Sequence, residues 1–127
     1  MNRRRILLPN IIIPLVLSSL IYYLFCPEVI FVKNIVFTIP SDPLFTLVRN
    51  YFMDMSWAYA LTFSIYYITD NRNKTFVTAS IFTVLSETLQ LTPLISGTFD
   101  IVDIVSMLHS ICLCILVIDF FQKRGML

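Results

Sequence analysis

Residues 101–121 read IVDIVSMLHSICLCILVIDFF, and this apolar stretch decides the fold class. A hydrocarbon core about 30 Å thick is crossed by roughly 20 helical residues, so the stretch has the length of a transmembrane helix. Three other segments are similarly apolar, and a polar link at residues 70–74 joins the middle two into an antiparallel hairpin. The sequence therefore predicts one all-α integral membrane domain over residues 1–127, with four transmembrane helices at about residues 6–25, 51–69, 75–94 and 101–121.

The composition also favours a membrane environment. Hydrophobic residues make up 57% of the chain, charged residues only 13%, and the mean hydropathy is +0.82. A soluble domain has about 25% charged residues, and so short a chain has too few polar side chains to cover its surface in water. A net charge of +1 gives no indication of nucleic-acid binding. Three cysteines and one histidine, without zinc-type spacing, indicate neither a disulfide framework nor a zinc site.

The first apolar segment, residues 6–25, follows three arginines at 3–5 and so has the layout of a signal peptide. No small-residue cleavage site follows the segment, and the residues at 22, 23 and 25 are bulky aromatics. We therefore expect a retained first transmembrane helix.

The distribution of basic residues predicts the orientation of the helices, because cytoplasmic flanks are enriched in lysine and arginine. With the N-terminus inside, seven of the nine basic residues fall on the cytoplasmic side, and both termini are cytoplasmic. The loop over residues 26–50 then faces outward, and its β-branched segment 29–39 is expected to be strand-like or interfacial. The cytoplasmic residues are Arg3, Arg4, Arg5, Arg72, Lys74, Lys123 and Arg124, against Lys33 and Arg49 outside.

Four acidic residues fall at one predicted depth, just beneath the outer surface. Asp54 lies near the outer start of the second helix, Glu87 near the outer end of the third, and Asp100 and Asp103 open the fourth. An acid in hydrocarbon costs about 2.5–3.5 kcal/mol, so such groups usually face protein or water. Residues three or four apart share a helix face, which predicts two polar stripes that face each other across an outer pocket. The stripes are Ser80, Thr83, Glu87 and Gln90, and Asp100, Asp103, Met107 and Ser110.

The predicted pocket carries more negative charge than its neighbours in sequence can neutralise. Arg49 and Lys33 are the nearby cations. Four carboxylates in one dry site cannot all remain ionised. Three alternatives stay open: protonation of some acids, hydration of the pocket, or a bound divalent cation, for which oxygen ligands suit Mg²⁺ or Ca²⁺. No other cofactor is indicated.

The same acids also have structural interpretations. Glu87 and Asp103 would form a hydrogen-bond network that holds the third and fourth helices together. Asp54 and Asp100 would stabilise the positive ends of helix dipoles. These roles stand beside the functional ones as alternatives.

Two further residues of the fourth helix are assigned structural roles. His109 lies six residues after Asp103 and so points away from the acidic stripe, and we expect a neutral side chain bonded to a neighbouring helix. Asp119 is expected to pair with Lys123, four residues later.

The sequence Glu87-Thr-Leu-Gln90, a short loop, and then Gly97-Thr-Phe99-Asp100-Ile-Val-Asp103 resembles the VanZ-like family of small membrane proteins. That family carries a Glu-x-x-Gln motif, then Arg-x-Phe-Asp-x-x-Asp, and an Asn and a Gly in its last helix. Arg49-Asn50-x-x-x-Asp54, with Trp57, is similar to the polar start of the family's middle helix. The resemblance covers roughly residues 49–111. It departs from the family pattern at three positions, with Gly97 in place of the Arg, Met107 in place of the Asn and Ser110 in place of the Gly.

The resemblance implies a multi-pass protein of the bacterial cell membrane, part of the cell envelope, without an established enzymatic reaction. The family's namesake lowers susceptibility to teicoplanin, a lipid-tailed glycopeptide antibiotic. We therefore expect a membrane lipid, or a lipid-linked or amphiphilic envelope molecule, as the partner at the outer acidic pocket. The candidate ligand-binding residues are Glu87, Gln90, Asp100, Asp103, Asp54 and Arg49.

Other classes of function stay open. A small proton- or cation-coupled transporter would use the same acids, and its pathway would form between the subunits of a homodimer, because four helices enclose little space. An accessory membrane subunit without a site would tolerate polar isosteres at Glu87 and Asp103. An enzyme acting on envelope lipids is the least favoured class, because the sequence shows no activated nucleophile.

Overall fold

The structure, a computed structural model, contains four α-helices in its described part: α1 (Arg3–Phe25), α2 (Pro43–Thr69), α3 (Arg72–Leu89) and α4 (Ile101–Lys123). It describes residues 3–25, 43–92 and 99–127, without the side chains of residues 3, 22, 24, 25 and 44–50. The all-α prediction is confirmed for these residues. The strand-like or interfacial segment expected at residues 29–39 lies outside them.

The surface of the helices favours membrane association. Two segments are long and apolar enough to cross a membrane, Arg4–Ile21 within α1 and Ile101–Lys123, with mean hydropathies of 1.6 and 2.5. Large apolar side chains are exposed along α1, α3 and α4, as at Val16, Val77 and Leu116. So much exposed apolar surface is unusual for a protein in water, whereas lipid tails solvate it well.

α2 begins earlier than predicted. The expected start was Tyr51, at the end of a loop over residues 26–50, but the helix begins at Pro43 and runs for 27 residues. Proline is favoured in the first turn of a helix, where its missing N–H removes no hydrogen bond. Asp54 therefore lies about three turns inside α2, and the prediction that it sits near the helix start was wrong.

α3 is also shifted toward the N-terminus, from the predicted residues 75–94 to Arg72–Leu89. Asn71 explains the early start, because its side chain accepts a hydrogen bond from the backbone N–H of Lys74 at 3.0 Å. At the other end, the backbone N–H of Gln90 returns to the Glu87 carbonyl at 3.1 Å and closes the helix in a tight turn. The link from α2 is short because Asp70 adopts φ +49, a left-handed conformation that Asp tolerates better than most residues.

α4 packs against both α2 and α3, and specific contacts set the register of each pair. Ser110 Oγ donates to the Met55 carbonyl at 2.6 Å, and Gln122 Nε2 donates to Tyr66 Oη at 2.8 Å. The partners are 55 and 56 residues apart, so α2 and α4 run parallel with a constant offset. The face that α4 buries follows helical spacing and consists of Met107, Ser110, Ile111, Cys114, Ile115 and Ile118.

α3 runs antiparallel to α4, and an ion pair links their ends. Arg72 Nε lies 2.9 Å from Asp119 Oδ1. The expected pairing of Asp119 with Lys123 was therefore wrong, because a guanidinium on the adjacent helix reaches the carboxylate directly. His109 also differs from expectation, since its side chain is exposed on α4 and no hydrogen bond joins it to any described residue.

α1 contacts α2 through a polar pair. Tyr59 Oη donates to Asn10 Oδ1 at 3.1 Å, and Asn10 Nδ2 donates to the Ile6 carbonyl at 2.8 Å. The helix continues through Pro9 and Pro14.

Candidate functional site

Glu87 is the least exposed of the four acids. It lies in the last turn of α3 with 4% of its surface exposed. Its Oε1 accepts a hydrogen bond from Gln90 Nε2 at 3.1 Å, because residues three apart lie on one helix face. Its Oε2 has no hydrogen-bond partner among the described residues. An unpartnered buried oxygen of this kind normally requires a water, an ion or a ligand.

Asp100 and Asp103 open α4 in different roles. Asp100 is the N-cap, and its Oδ1 accepts a hydrogen bond from the backbone N–H of Val102 at 2.8 Å. This confirms the helix-terminal interpretation of Asp100. Asp103 lies in the first turn of α4, half-buried, and its carbonyl accepts a hydrogen bond from Ser106 Oγ at 2.9 Å. The Asp103 carboxylate is therefore the freer of the two for a ligand.

The structure brings the four acids from three helices together. Glu87 interacts electrostatically with Asp103 and Asp100, and its carboxylate also interacts with the backbone N–H of Asp100. Asp54, on α2, interacts with both Asp103 and Glu87. No Lys or Arg side chain in the described part of the chain forms an ion pair with any of these carboxylates. The result is a concentration of negative charge between the helices.

Arg49 has its backbone in α2, while its side chain lies outside the description. The constant offset between α2 and α4 places Arg49 level with about Ile104, one residue beyond Asp103. The helix register therefore brings the only basic residue of α2 to the depth of the acidic pair.

The polar stripe of α3 continues inward from Glu87. Thr83 is fully buried one turn below, and Ser80 lies half-buried beneath it. The hydroxyl oxygens Thr83 Oγ1 and Ser80 Oγ have no hydrogen-bond partner among the described residues. In a dry core such groups cost free energy, about 1–3 kcal/mol each, so the stripe suits water or a polar ligand group.

The second stripe divides into two parts. Asp100 and Asp103 belong to the acidic cluster, whereas Met107 and Ser110 are buried at 2% and 3% exposure in the contact with the other helices. Ser110 donates its hydroxyl hydrogen to α2 and thus serves helix packing. The buried polar groups without a described partner therefore continue along α3 rather than along α4.

The divalent cation that the sequence leaves open at the acidic cluster stays a prediction. Within residues 3–25, 43–92 and 99–127, no group of three His, Cys, Asp or Glu side chains is placed to hold one ion. The arrangement is suited to accept hydrogen bonds, since it presents carboxylate and hydroxyl oxygens with few described donors beside them.

Sequence reasoning missed the ion pair between Arg72 and Asp119 at the opposite end of α3 and α4. The topology predicts this pair, because an antiparallel arrangement brings the start of α3 beside the end of α4.

No match to this chain appears among models of protein families, among curated proteins or among solved structures.

Proposed function

We propose that this chain is a multi-pass bacterial membrane protein of the VanZ-like kind, with four spanning helices and both termini in the cytoplasm. The basic residues support the orientation, since Arg72 and Lys74 begin α3 at the same end of the helices as Lys123 and Arg124 end α4. The acidic cluster then lies in the outer half of the membrane, where an extracellular or outer-leaflet molecule reaches it.

We further propose that the cluster binds the polar head of a lipid-linked or amphiphilic envelope molecule. One observation carries this assignment: Glu87 is buried among other acids with one carboxylate oxygen unpartnered. Removing one partner from a buried charge is costly, so a charge in this position normally has a complement. A ligand group that donates hydrogen bonds or carries positive charge, such as an ammonium or an amide N–H, supplies that complement.

The residues divide into those that contact this head group and those that position them. Glu87 and Asp103 accept hydrogen bonds from the ligand, and Asp54 lines the deeper side. Gln90 holds the Glu87 carboxylate through the 3.1 Å hydrogen bond, so it is a positioning residue. Asp100 fixes the start of α4. Arg49, on α2 at the depth of Asp103, is proposed as a counterion or as a contact to an anionic group.

The proposal is tested by susceptibility to teicoplanin in a sensitive Gram-positive host that expresses this chain. Wild type is expected to raise the inhibitory concentration, and Glu87→Gln and Asp103→Asn are expected to return it to the empty-vector level. Asp70→Asn is the matched control, because it makes the same acid-to-amide change outside the cluster and Asn also tolerates a positive φ.

Membrane levels of all four proteins are compared by quantitative immunoblot. Protection by wild type that survives both cluster variants would contradict a binding role for the acids and favour an accessory subunit. An unprotected host with normal wild-type levels would contradict the link to teicoplanin resistance.

A second candidate function is a small proton- or cation-coupled transporter, favoured by the stripe of unpartnered hydroxyls. Ser80 and Thr83 continue inward from Glu87 on successive turns, an arrangement that water or a proton relay can use. Proteoliposomes that contain a pH-sensitive dye distinguish the two functions. Proton flux that Glu87→Gln abolishes and Thr83→Val reduces would favour the transporter.

A further inference from the structure

The exposed surface of the α3–α4 pair carries a groove at the end opposite the acidic cluster. It encloses about 450 Å³ and begins at Arg72 and Asn73, in the first turn of α3. Its remaining walls are mainly apolar and include Phe76, Val77, Cys112 and Leu116. The groove therefore combines a polar mouth with apolar walls, which match the head group and an acyl chain of a phospholipid.

The mouth of the groove presents unused hydrogen-bond donors. Arg72 contacts Asp119 through Nε, and half of the Arg72 side chain remains exposed. A guanidinium carries five N–H donors in a planar fork, more than one carboxylate accepts, so the exposed part of the Arg72 side chain can also donate to phosphate oxygens. A phosphate is therefore a suitable third partner for this ion pair.

The charge around the mouth also matches an anionic group. The described charged residues at this end of the α3–α4 pair are four cations and two carboxylates. They are Arg72, Lys74, Lys123 and Arg124, and Asp70 and Asp119. Basic pockets between helices on the cytoplasmic side are typical sites for anionic lipid head groups.

We propose that this groove binds an anionic phospholipid, with the phosphate on Arg72 and an acyl chain along Phe76, Val77 and Leu116. The proposal rests on the membrane insertion proposed above but is independent of the ligand at the acidic cluster. Phosphatidylglycerol is a suitable probe because it carries one negative charge and ordinary acyl chains.

Tryptophan fluorescence measures occupancy of the groove directly, because Trp57 is the only tryptophan of the chain. Trp57→Phe combined with Phe76→Trp places the single tryptophan in the groove wall, and wild type reports on the exposed surface of α2 instead. Each protein is reconstituted in phosphatidylcholine vesicles that contain either brominated phosphatidylglycerol or brominated phosphatidylcholine, at equal mole fractions. Bromine quenches the fluorescence of a tryptophan that it contacts.

We expect the groove tryptophan to prefer phosphatidylglycerol over phosphatidylcholine about fivefold, the effect of one basic side chain at an anionic surface. Trp57 is expected to show no preference. Arg72→Gln in the groove reporter should remove the preference, and Lys74→Gln, whose side chain does not line the groove, should retain most of it.

Asp119→Asn separates the role of the cation from that of the ion pair, because it breaks the ion pair but keeps the guanidinium of Arg72. This variant is expected to retain or increase the preference for phosphatidylglycerol. Equal quenching by both lipids at position 76 would overturn the proposal while leaving membrane insertion intact. Shielding of position 76 from both lipids would overturn it in favour of a second copy of the chain, and loss of quenching at both reporters would contradict insertion itself.

Discussion

Glu87 is a buried acid whose surroundings do not stabilise a negative charge. Its carboxylate lies among other acids, with one hydrogen bond from Gln90 and one unpartnered oxygen. We expect Glu87→Gln to leave the thermal stability of the purified protein unchanged or to raise it. If the carboxylate is ionised, the amide removes repulsion, and if it is protonated, the amide preserves a donor and an acceptor.

The midpoint of thermal unfolding in detergent measures this effect. Thr88→Val on the same turn is the control for a change at an exposed position. A marked drop in the midpoint for Glu87→Gln alone would show that the carboxylate stabilises the helices, and it would strengthen the interpretation of the acids as a structural network.

At the scale of single residues, contacts were predictable from the sequence where both partners lie on one face of the same helix. The hydrogen bond between Gln90 and Glu87 and the cap at Asp100 follow from spacing within one element. Asp119 and His109 were assigned wrongly because their surroundings depend on which neighbouring helix lies opposite each side chain. Spacing along α4 does not contain that information.

At the scale of the element, α3 is divided between a buried face of small and polar residues and a face of exposed apolar ones. The buried residues are Thr75, Ala79, Thr83 and Glu87, four residues apart. Small residues at such positions allow helices to approach closely in membranes. Close approach to α2 and α4 is what brings Glu87 beside the acids of the other two helices.

We expect Ala79→Leu to destabilise the protein by about 1–3 kcal/mol, because the fully buried Ala79 leaves no room for a larger side chain. Val84→Leu adds a methylene group on the exposed face of the same helix and should have little effect. Reversible unfolding in mixed detergent micelles measures the free energy of unfolding for both variants. An Ala79→Leu protein as stable as wild type would contradict the tight packing of α3.

The errors in the helix bounds have a common physical origin. The predicted helices were limited to the length of the bilayer core, which explains the predicted start of α2 at Tyr51. The backbone instead follows local signals, the proline at 43 for α2 and the Asn71 cap for α3. Hydropathy determines which segments are helical, whereas capping residues determine where each helix begins.

At the scale of the whole molecule, the grouping of four acids from three helices was predictable because two facts suffice for it. The chain reverses direction between helices, so acids near the same end of successive helices come together, although the helix register places Asp54 nearly two turns deeper than Asp103. Hydropathy and spacing supply both facts. The different burial and hydrogen bonding of the acids within this layer were not predictable, since the burial of Glu87 and the turn at Gln90 depend on packing.

The proposed topology makes a prediction about the whole chain that single-cysteine labelling in intact cells tests. In a background without native cysteines, Leu91→Cys, exposed after α3, is expected to react with a membrane-impermeant maleimide from outside. Lys74→Cys and Lys123→Cys should react only after the membrane is permeabilised, because the antiparallel α3–α4 pair places them together at the other end.

The opposite labelling pattern would invert the orientation, and the acidic cluster would then face the cytoplasm, out of reach of an extracellular antibiotic. Labelling of all three residues from one side would contradict the four-span arrangement, because α3 would then not cross the membrane. An arrangement with both α3 and α4 across the membrane places the acids and the basic groove in separate leaflets, so both proposed binding sites depend on it.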